Sequence, residues 1–432
     1  MTARSLKVGL LGCGTVGSSV ARIITDQADE LSARIGCDLT LSGVAVSDIT
    51  KKREGVDSQL LHDDAELMLK ECDFDIVVEL IGGIEPARTL IMAAIEKGAS
   101  IVTANKALLA AHGREILRAA HQAGVEIYYE AAVGGAIPII RPLRESLVGD
   151  EVTAVMGIVN GTTNYILDKM SREGMGYSDA VVQAQQLGYA EADPTADVEG
   201  YDAAAKAALL ASLAFHTWVP GDRVERCGIT EIELADIKAA QDLGYVIKLI
   251  AKATVEKDGS IEVAVHPTMV KCDHPLANVN GADNAIVVEA QAAGRLMFQG
   301  PGAGGAPTAS AVVGDIVTVA RHRHAQMAPT IQSMYADHEL KDRGETFSRY
   351  FLRFEVSDEP GVLSTIAGIL SEHGISIETA RQFATAGEQG AHAQLQLMTH
   401  RALTRDLARC CECLENCSQV HGKIHSMRVE GV

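Results

Sequence analysis

The chain has 432 residues and a formal net charge of −19. At about 100–200 residues per domain, that length predicts two to four domains with ample core. So acidic a surface repels nucleic acid and anionic membranes and excludes both as partners. The opening residues, MTARSLKVGLLGCG, hold no apolar core followed by a cleavage site, and no apolar run is long enough to span a bilayer. Nine cysteines, an odd number, in a chain without a secretory signal are expected as reduced thiols in a cytoplasm.

LKVGLLG (6–12) predicts a short apolar strand, GCGTVG (12–17) follows it, and SSVARIITDQADEL opens a helix at once. LTLSGVAVSD (39–48) predicts the second strand. DFDIVVELIGG (73–83), ASIVTANK (99–106) and VEIYYEAAVGG (125–135) predict further strands, separated by helical patterns such as TLIMAAIEKG. Strands alternating with helices make a parallel sheet with crossover helices, so residues 1–137 are expected to form one doubly wound α/β domain. Over 138–306, helical stretches at 202–216 and 233–252 stand beside strand-like runs such as IEVAVHP and NAIVVEA, the pattern of an α+β domain. GPGAGGAPTASAVVGDIVTVARH (300–322) is a glycine-rich loop feeding a helix whose first turn suits Pro307. That helix, 307–322, is expected to return to the first domain. Residues 323–348, from RHRHAQMAPT onward, read as a linker with solvated histidines. From 349 to 432 the strands RYFLRFEVSD, ISIETARQ, AQLQLMT and KIHSMRV, with helices at EPGVLSTIAGILSEH and 403–417, spell a βαββαβ unit.

Gly12, Gly14 and Gly17 form G-x-G-x-x-G between a predicted strand and a predicted helix. The first glycine permits the tight turn, the second lets the backbone approach a pyrophosphate, and the third lets helix and strand pack closely. The helix N-terminus faces the phosphates with unpaired N–H groups and a positive dipole end. A nicotinamide dinucleotide is therefore expected on Gly12, Cys13, Gly14, Thr15, Val16 and Gly17. The adenosine end stays open. Asp48 could hold a ribose 2′-OH, favouring NAD, whereas Lys51, Lys52 and Arg53 could hold a 2′-phosphate, favouring NADP, or form a plain solvated loop.

GYAEADPTADVEGYDAAAK (188–206) crowds five carboxylates ahead of one lysine. Asp202 and Lys206 are four apart on a helical pattern and share a face. As an exposed ion pair they would contribute only ~0.3–0.5 kcal/mol. The Ala/Leu-rich helix around them argues instead for a partly buried lysine, and the surplus acids call for another cation. The α-ammonium of an amino acid supplies one. A tuned lysine beside it can exchange a proton with an oxygen undergoing carbonyl–alcohol interconversion. Asp193, before Pro194, is expected in a turn, and Glu199 in solvent.

Here the chain resembles one family closely. Ala184, Gly188, Tyr189, Asp193, Pro194, Asp197, Val198, Gly200, Asp202 and Lys206 match, at every spacing, the signature of homoserine dehydrogenases. GLLGCGTVG, VTANKALLA, YYEAAVGGAIPII, GIVNGTTNYIL and GAGGAPTASAVVGDI follow in that family's order, so the resemblance covers the whole chain. It implies a Rossmann-type dinucleotide-binding domain and a catalytic and dimerisation domain. It also implies NAD(P)H-dependent interconversion of L-aspartate 4-semialdehyde and L-homoserine, in threonine, methionine and isoleucine biosynthesis, by a monofunctional bacterial-type enzyme that is a homodimer or homotetramer. Lys206 is implied as proton donor, with Asp202 beside it in the catalytic set and Lys106 as a second active-site lysine near the nicotinamide. Glu191 and Asp202 are implied to bind substrate, Gly188 by its backbone, and Asp197 to support the same network. Thr103 is implied to border the cofactor, and Gly302 and Ala303, in the loop 302–305, to meet it from the other side. Glu130, Val133, Gly135 and Ile137 resemble the family's monovalent-cation site, which presents mostly backbone oxygens to sodium or potassium; hard cations prefer such donors.

Residues 349–432 resemble an ACT domain, an amino-acid sensor, on the stretch DEPGVLSTIAGILSEHGISIE, where Pro360-Gly361-Val362-Leu363 marks the first strand-to-helix junction. Threonine feedback inhibition follows from that resemblance; a domain kept only for assembly is the other reading. Cys410, Cys413 and Cys417 share a predicted helical face, and with no second CxxC to pair with they are expected in core packing. NGT at 160–162 is a glycosylation sequon expected instead as a turn near the active site. Two other functions compete. A semialdehyde dehydrogenase working through a thioester needs a nucleophilic cysteine near the nicotinamide, where only Cys13 in the phosphate loop is at hand. A non-catalytic dinucleotide- and amino-acid-binding regulator has no use for the carboxylate–lysine segment.

Overall fold

The structure is a computed structural model that describes residues 5–53, 55–329, 334–342, 344–385 and 392–431. Its first part runs β1 (Leu6–Leu11), α1 (Thr15–Asp26), α2 (Ala28–Ile35), β2 (Leu39–Ala45), β3 (Leu61–His62), α3 (Ala65–Glu71), β4 (Ile76–Glu79), α4 (Ala87–Glu96), β5 (Ser100–Thr103), α5 (Lys106–Ala123) and β6 (Ile127–Tyr128). The middle runs β7 (Val152–Ile158), α6 (Gly161–Glu173), α7 (Tyr177–Gln186), α8 (Thr195–Val198), α9 (Tyr201–Ala214), β8 (Glu225–Arg226), α10 (Leu234–Asp242), β9 (Tyr245–Val255), β10 (Ile261–Lys271), β11 (Asp283–Ala290), β12 (Gly294–Pro301) and α11 (Gly305–His324). The chain ends with β13 (Phe347–Ser357), α12 (Val362–Glu372), β14 (Ile377–Thr385), β15 (His392–Thr399), β16 (Ala402–Leu403), α13 (Thr404–Glu415) and β17 (Val420–Glu430). Two compact units emerge: Met1–Gly161 with Ala203–Val224 and Asp283–Asp337, and Thr162–Asp202 with Glu225–Ala282 and His338–Val432.

In the first unit a parallel sheet takes the order β3-β2-β1-β4-β5-β6. Val8, Leu10, Ile76, Val78 and Val102 are all fully buried, which is why these strands read as continuous apolar runs rather than alternating ones. Strand order reverses between β1 and β4, and the crevice at their carboxyl ends is the natural ligand site of such a sheet. Helix α11 packs on α1 and puts Val312, Ile316, Val319 and Ala320 into the same core as Val8 and Leu10. It starts at Gly305, two residues before Pro307, and runs through His324. Of the two histidines there, His324 is exposed as expected, whereas His322 Nδ1 lies 3.0 Å from an oxygen of Glu126, which is buried. Strands β7, β11 and β12 form an antiparallel ladder. The strand expected over 125–135 is only two residues long. Gly134 (φ +74°) and Gly135 (φ +58°) cannot continue a ladder.

In the second unit β9-β10-β17-β13-β15-β14 form one sheet, with β10 and β17 parallel and the other neighbours antiparallel. From β13 to β17 the order is the expected βαββαβ with the two-residue β16 added ahead of α13, closed over a core of Leu352, Phe354, Ile366, Leu370, Leu395 and Leu414. The helix expected over 233–252 stops at Asp242. Gly244, at φ +81°, turns the chain, and the β-branched run YVIKLIAKATV becomes β9. Cys410 is fully buried in the βαββαβ core, but Cys413 is exposed with its sulfur 3.7 Å from His373 Nε2, and Cys411 packs in its place. The expected linker is partly structured: Lys341 donates its amide to Ile261 O at 2.9 Å and Glu339 O accepts the Ile261 amide at 2.9 Å. Its residues 330–333 and 343, like 386–391 and 432 of the expected ACT unit, lie outside the described residues.

Candidate active site

The phosphate cradle follows from three glycines. Gly12 adopts φ +93°, and a Cβ there would lie 2.8 Å from Leu80 O. A Cβ on Gly17 would lie 2.3 Å from Gly12 O, so the turn and the helix–strand contact both require glycine. A Cβ on Gly14 would meet nothing within 4 Å among the described residues, which leaves that face open for an approaching group. Helix α1 begins at Thr15 behind Gly14, a residue with no side chain to cap it, so its first amides remain for an anion. Cys13 is buried, with its sulfur 3.5 Å from Ser18 Oγ. The donor set and the open face fit a dinucleotide pyrophosphate.

At the adenosine end, Asp48 turns back on its own loop and accepts from the Thr50 amide at 2.8 Å and the Thr50 hydroxyl at 2.6 Å. The Thr50 hydroxyl and amide, with smaller help from Arg53, hold its carboxyl below the usual carboxylate value. Arg53 bridges the end of this loop to the phosphate turn, donating from Nη1 to Asp48 O at 2.8 Å and Lys51 O at 2.7 Å and from Nε to Cys13 O at 3.4 Å. Lys51 and Lys52 are exposed.

Thr103, buried at the end of β5, donates its hydroxyl to Glu79 Oε2 at 2.6 Å. Asn105 caps α5 through the Leu108 amide at 3.1 Å, and Lys106 is the first residue of that helix and half-buried. The loop 302–305 lies against both α1 and the Gly134-Gly135 turn. A Cβ on Gly305 would sit 2.8 Å from Thr15 Cγ2, and one on Gly135 would sit 2.5 Å from Gly302 C. Gly302 itself is pressed on Asn284, whose buried amide finds no hydrogen-bond partner for either atom among the described residues.

The Glu130 carboxylate is committed to the chain: Oε1 accepts from the amides of Ile139 (2.5 Å) and Ile140 (2.7 Å), Oε2 from that of Arg141 (3.0 Å). Burial nonetheless pushes its carboxyl up. Asp315, 0% exposed, accepts from the Glu130 amide at 2.8 Å and from Arg141 Nη2 at 2.7 Å, and burial together with the Glu130 charge pushes it up to about 7. Any ion at Glu130, Val133, Gly135 and Ile137 would therefore be met by the main-chain oxygens of these residues rather than by the Glu130 carboxylate. An under-neutralised acidic pair and an orphaned amide nearby in the fold fit a cation there.

Lys206 lies on α9, 7% exposed, and donates from Nζ to Val159 O at 2.7 Å. Asp202, four residues earlier on that helix, is 9% exposed. Neither is a surface group, so the plain exposed ion pair is ruled out. In the second unit the segment before Asp202 is tethered at several points. The Tyr189 carbonyl accepts from Thr162 Oγ1 at 2.6 Å, and the Glu191 carbonyl from Gln185 Nε2 at 3.1 Å. Gly188 takes φ +76° to leave α7, and both it and the Glu191 side chain are exposed. Asp193 makes the expected turn, accepting from the Thr195 amide and hydroxyl at 3.1 and 2.6 Å. Asp197 is half-buried on α8. Glu199 is not simply solvated: Thr230 donates to its carboxylate at 3.0 Å, and Arg226 donates to its carbonyl at 2.9 Å while lying 3.3 Å over the Tyr201 ring. The Asn160-Gly161-Thr162 sequon opens α6 with Asn160 and Thr162 buried, so it is a helix start rather than a turn. Sequence reasoning missed Glu79, Asn105, Asn284 and Arg226. For Glu79 the signal was present, as a lone acid inside the apolar strand DIVVELIGG.

A doubly wound sheet with this cradle, ahead of a buried helical lysine and a βαββαβ module, defines a nicotinamide-dependent oxidoreductase with a regulatory-type domain. Residues 12–130 match the model for the homoserine dehydrogenase NAD binding domain, 138–317 that for homoserine dehydrogenase, and 350–407 that for the ACT domain. The homoserine dehydrogenase of Corynebacterium glutamicum is 54% identical over 413 residues, 94% of this chain and 92% of that one. The crystal structure of a homoserine dehydrogenase from Thiobacillus denitrificans superposes with a TM-score of 0.93 at 38% identity, covering 99% of this chain and 98% of that chain. A hyperthermophilic archaeal homoserine dehydrogenase in complex with NADPH matches with a TM-score of 0.63 at 29% identity, covering 73% of this chain and 98% of that one. The chain belongs to the homoserine dehydrogenase family.

Proposed function

We propose that the protein interconverts L-aspartate 4-semialdehyde and L-homoserine, with Lys206 as the proton donor in the reductive direction. The observation that carries this is the burial of Lys206, with Nζ held at 2.7 Å from Val159 O. The carbonyl acceptor orients the ammonium through one of its three N–H bonds, and another can give its proton to the oxygen of the aldehyde. The coenzyme, when bound, supplies or accepts the hydride. Glu191 and Asp202 take the substrate ammonium, Gly188 contributes backbone, Asp197 supports the segment, and Lys106 stands by the nicotinamide end with Thr103, Gly302 and Ala303. NADP is preferred over NAD, because the Asp48 carboxylate is spent on Thr50 while the Arg53 guanidinium spans the loop and the phosphate turn. Main-chain oxygens of Glu130, Val133, Gly135 and Ile137 hold a monovalent cation, sodium or potassium.

Residues 1–137 with the helix beginning near 305 act as the coenzyme domain, 138–306 as the catalytic and dimerisation domain of a homodimer or homotetramer, and 349–432 as a domain through which threonine inhibits. Among the described residues no helix is long and apolar enough to cross a membrane. Replacement of Lys206 by alanine is expected to lower kcat on the order of a hundredfold or more while leaving coenzyme affinity intact, read by steady-state rates and by titration of bound NADPH. An unchanged kcat removes Lys206 from the proton transfer.

A further inference from the structure

Lys106 can act only where the start of α5 puts it, and that start is tied to a group at the end of the neighbouring strand. Glu79 closes β4 and is 0% exposed. A carboxylate so enclosed persists only with several donors around it. Its Oε1 accepts from the amides of Ile81 at 2.9 Å and Gly82 at 3.0 Å. Its Oε2 accepts from the Thr103 hydroxyl at 2.6 Å. Thr103 Oγ1 in turn accepts the Asn105 amide at 3.0 Å, and Asn105 Nδ2 donates to Gly83 O at 2.7 Å while Oδ1 caps α5. One arm of the network thus shapes the Leu80–Gly83 turn, against which Gly12 of the phosphate loop is packed with only 2.8 Å between a notional Cβ and Leu80 O. The other arm reaches the first turn of α5. Two bonds from a strand-end acid to the next amides are an ordinary turn device. The Thr103 arm is more, since it joins residues 24 apart on adjacent strands.

We propose that Glu79 is a positioning residue for the reaction: one buried carboxylate holds the turn under the phosphate loop and, through Thr103 and Asn105, the helix start that carries Lys106. The proposal rests on the roles given above to Lys106 and the phosphate loop. It predicts a split between coenzyme binding and turnover. Glu79→Gln keeps an acceptor for the two amides but presents a donor to the Thr103 hydroxyl, and Thr103→Val removes that arm from the other side. Both are expected to lower kcat on the order of tenfold, the equivalent of one charge-assisted hydrogen bond, and in Glu79→Gln, which leaves the coenzyme site's own residues in place, the Kd for NADPH stays within about twofold of the parent. Glu79→Ala cuts both arms and is expected to raise the NADPH Kd as well. The experiment measures kcat and KM for homoserine, NADPH Kd by fluorescence without homoserine, and the folded fraction of each full-length variant at the assay temperature.

Parent kcat in folded Glu79→Gln and Thr103→Val overturns the assignment, and so does a kcat loss that merely follows the unfolded fraction. If the parent protein itself does not turn over homoserine, the functional reading fails instead. The titration still tests this network, because Glu79→Ala must then bind NADPH more weakly than Glu79→Gln.

Discussion

Lys206 is 7% exposed, and that changes what the Asp202-x-x-x-Lys206 spacing means. Spacing alone shows only that the two share a helix face, and most such pairs are solvated and nearly neutral in energy. The flanking AAAKAALLASLAF made burial legible, because a lysine amid alanines and leucines on every side of a helix has no polar face to escape to. Other residues were illegible for a physical reason. Glu79 and Asn284 act through partners distant in the chain, and a strand pattern records burial but not which buried acid or amide finds which donor. Arg53 was legible as a charge but not as a geometry. Its folded position over Cys13 O and Asp48 O carries a prediction. Arg53→Ala should lower kcat/KM with NADP on the order of tenfold or more and leave the value with NAD within about twofold. Equal losses with both coenzymes would contradict a 2′-phosphate role.

Among the elements, those with a strong period or a sharp stop were read well: the strands β1, β2, β4 and β5, α1 behind its glycines, and the βαββαβ series. The errors fall where a local signal was overruled. Over 125–135, alternating β-formers promised a strand, but the Glu130 carboxylate gathers three amides from 139–141 and bends the chain away after Tyr128. Over 233–252 an apolar helical rhythm ran on past Gly244, where only glycine fits the turn, and β9 begins next to it. That strand carries its own fastener. Lys248, 3% exposed, donates to Asn164 Oδ1 of α6 at 3.0 Å and to Val279 O beyond β10 at 2.6 Å. Burial depresses its pKa from 10.5 to about 8. With the folded value below the unfolded one, its contribution to stability is fully present above the unfolded pKa of 10.5 and is lost as pH falls through about 8. The urea midpoint of the parent protein, relative to Lys248→Met, should therefore rise between about pH 8 and about pH 10. A difference that stays flat over that window would contradict a buried, titrating ammonium.

Across the molecule, the order of functions along the chain was legible, but its physical partition was not. The chain leaves and re-enters each compact unit twice, so the residues that pack together do not form one consecutive run. In the second unit the sheet passes from the β9–β10 hairpin straight into the βαββαβ module through the parallel β10–β17 pairing. Arg428 on β17 meets Glu262 on β10 at 2.6 Å, and Arg353 on β13 meets Asp236 at 2.6 Å and Glu233 at 2.8 Å. The module thus belongs to the same compact unit as Gly188, Glu191, Asp197 and Asp202. An effector acts only through different affinity for two states, so inhibition must show as a shift in apparent substrate affinity or rate.

The measurement that bears most directly on the function is homoserine-dependent reduction of NADP⁺ and NAD⁺ by the full-length protein, followed by absorbance of the reduced nicotinamide in sodium and in potassium, with and without L-threonine. Turnover that is faster with NADP⁺ and slowed by threonine is the expected result. Folded protein that reduces neither coenzyme with homoserine in either salt would contradict the assigned reaction.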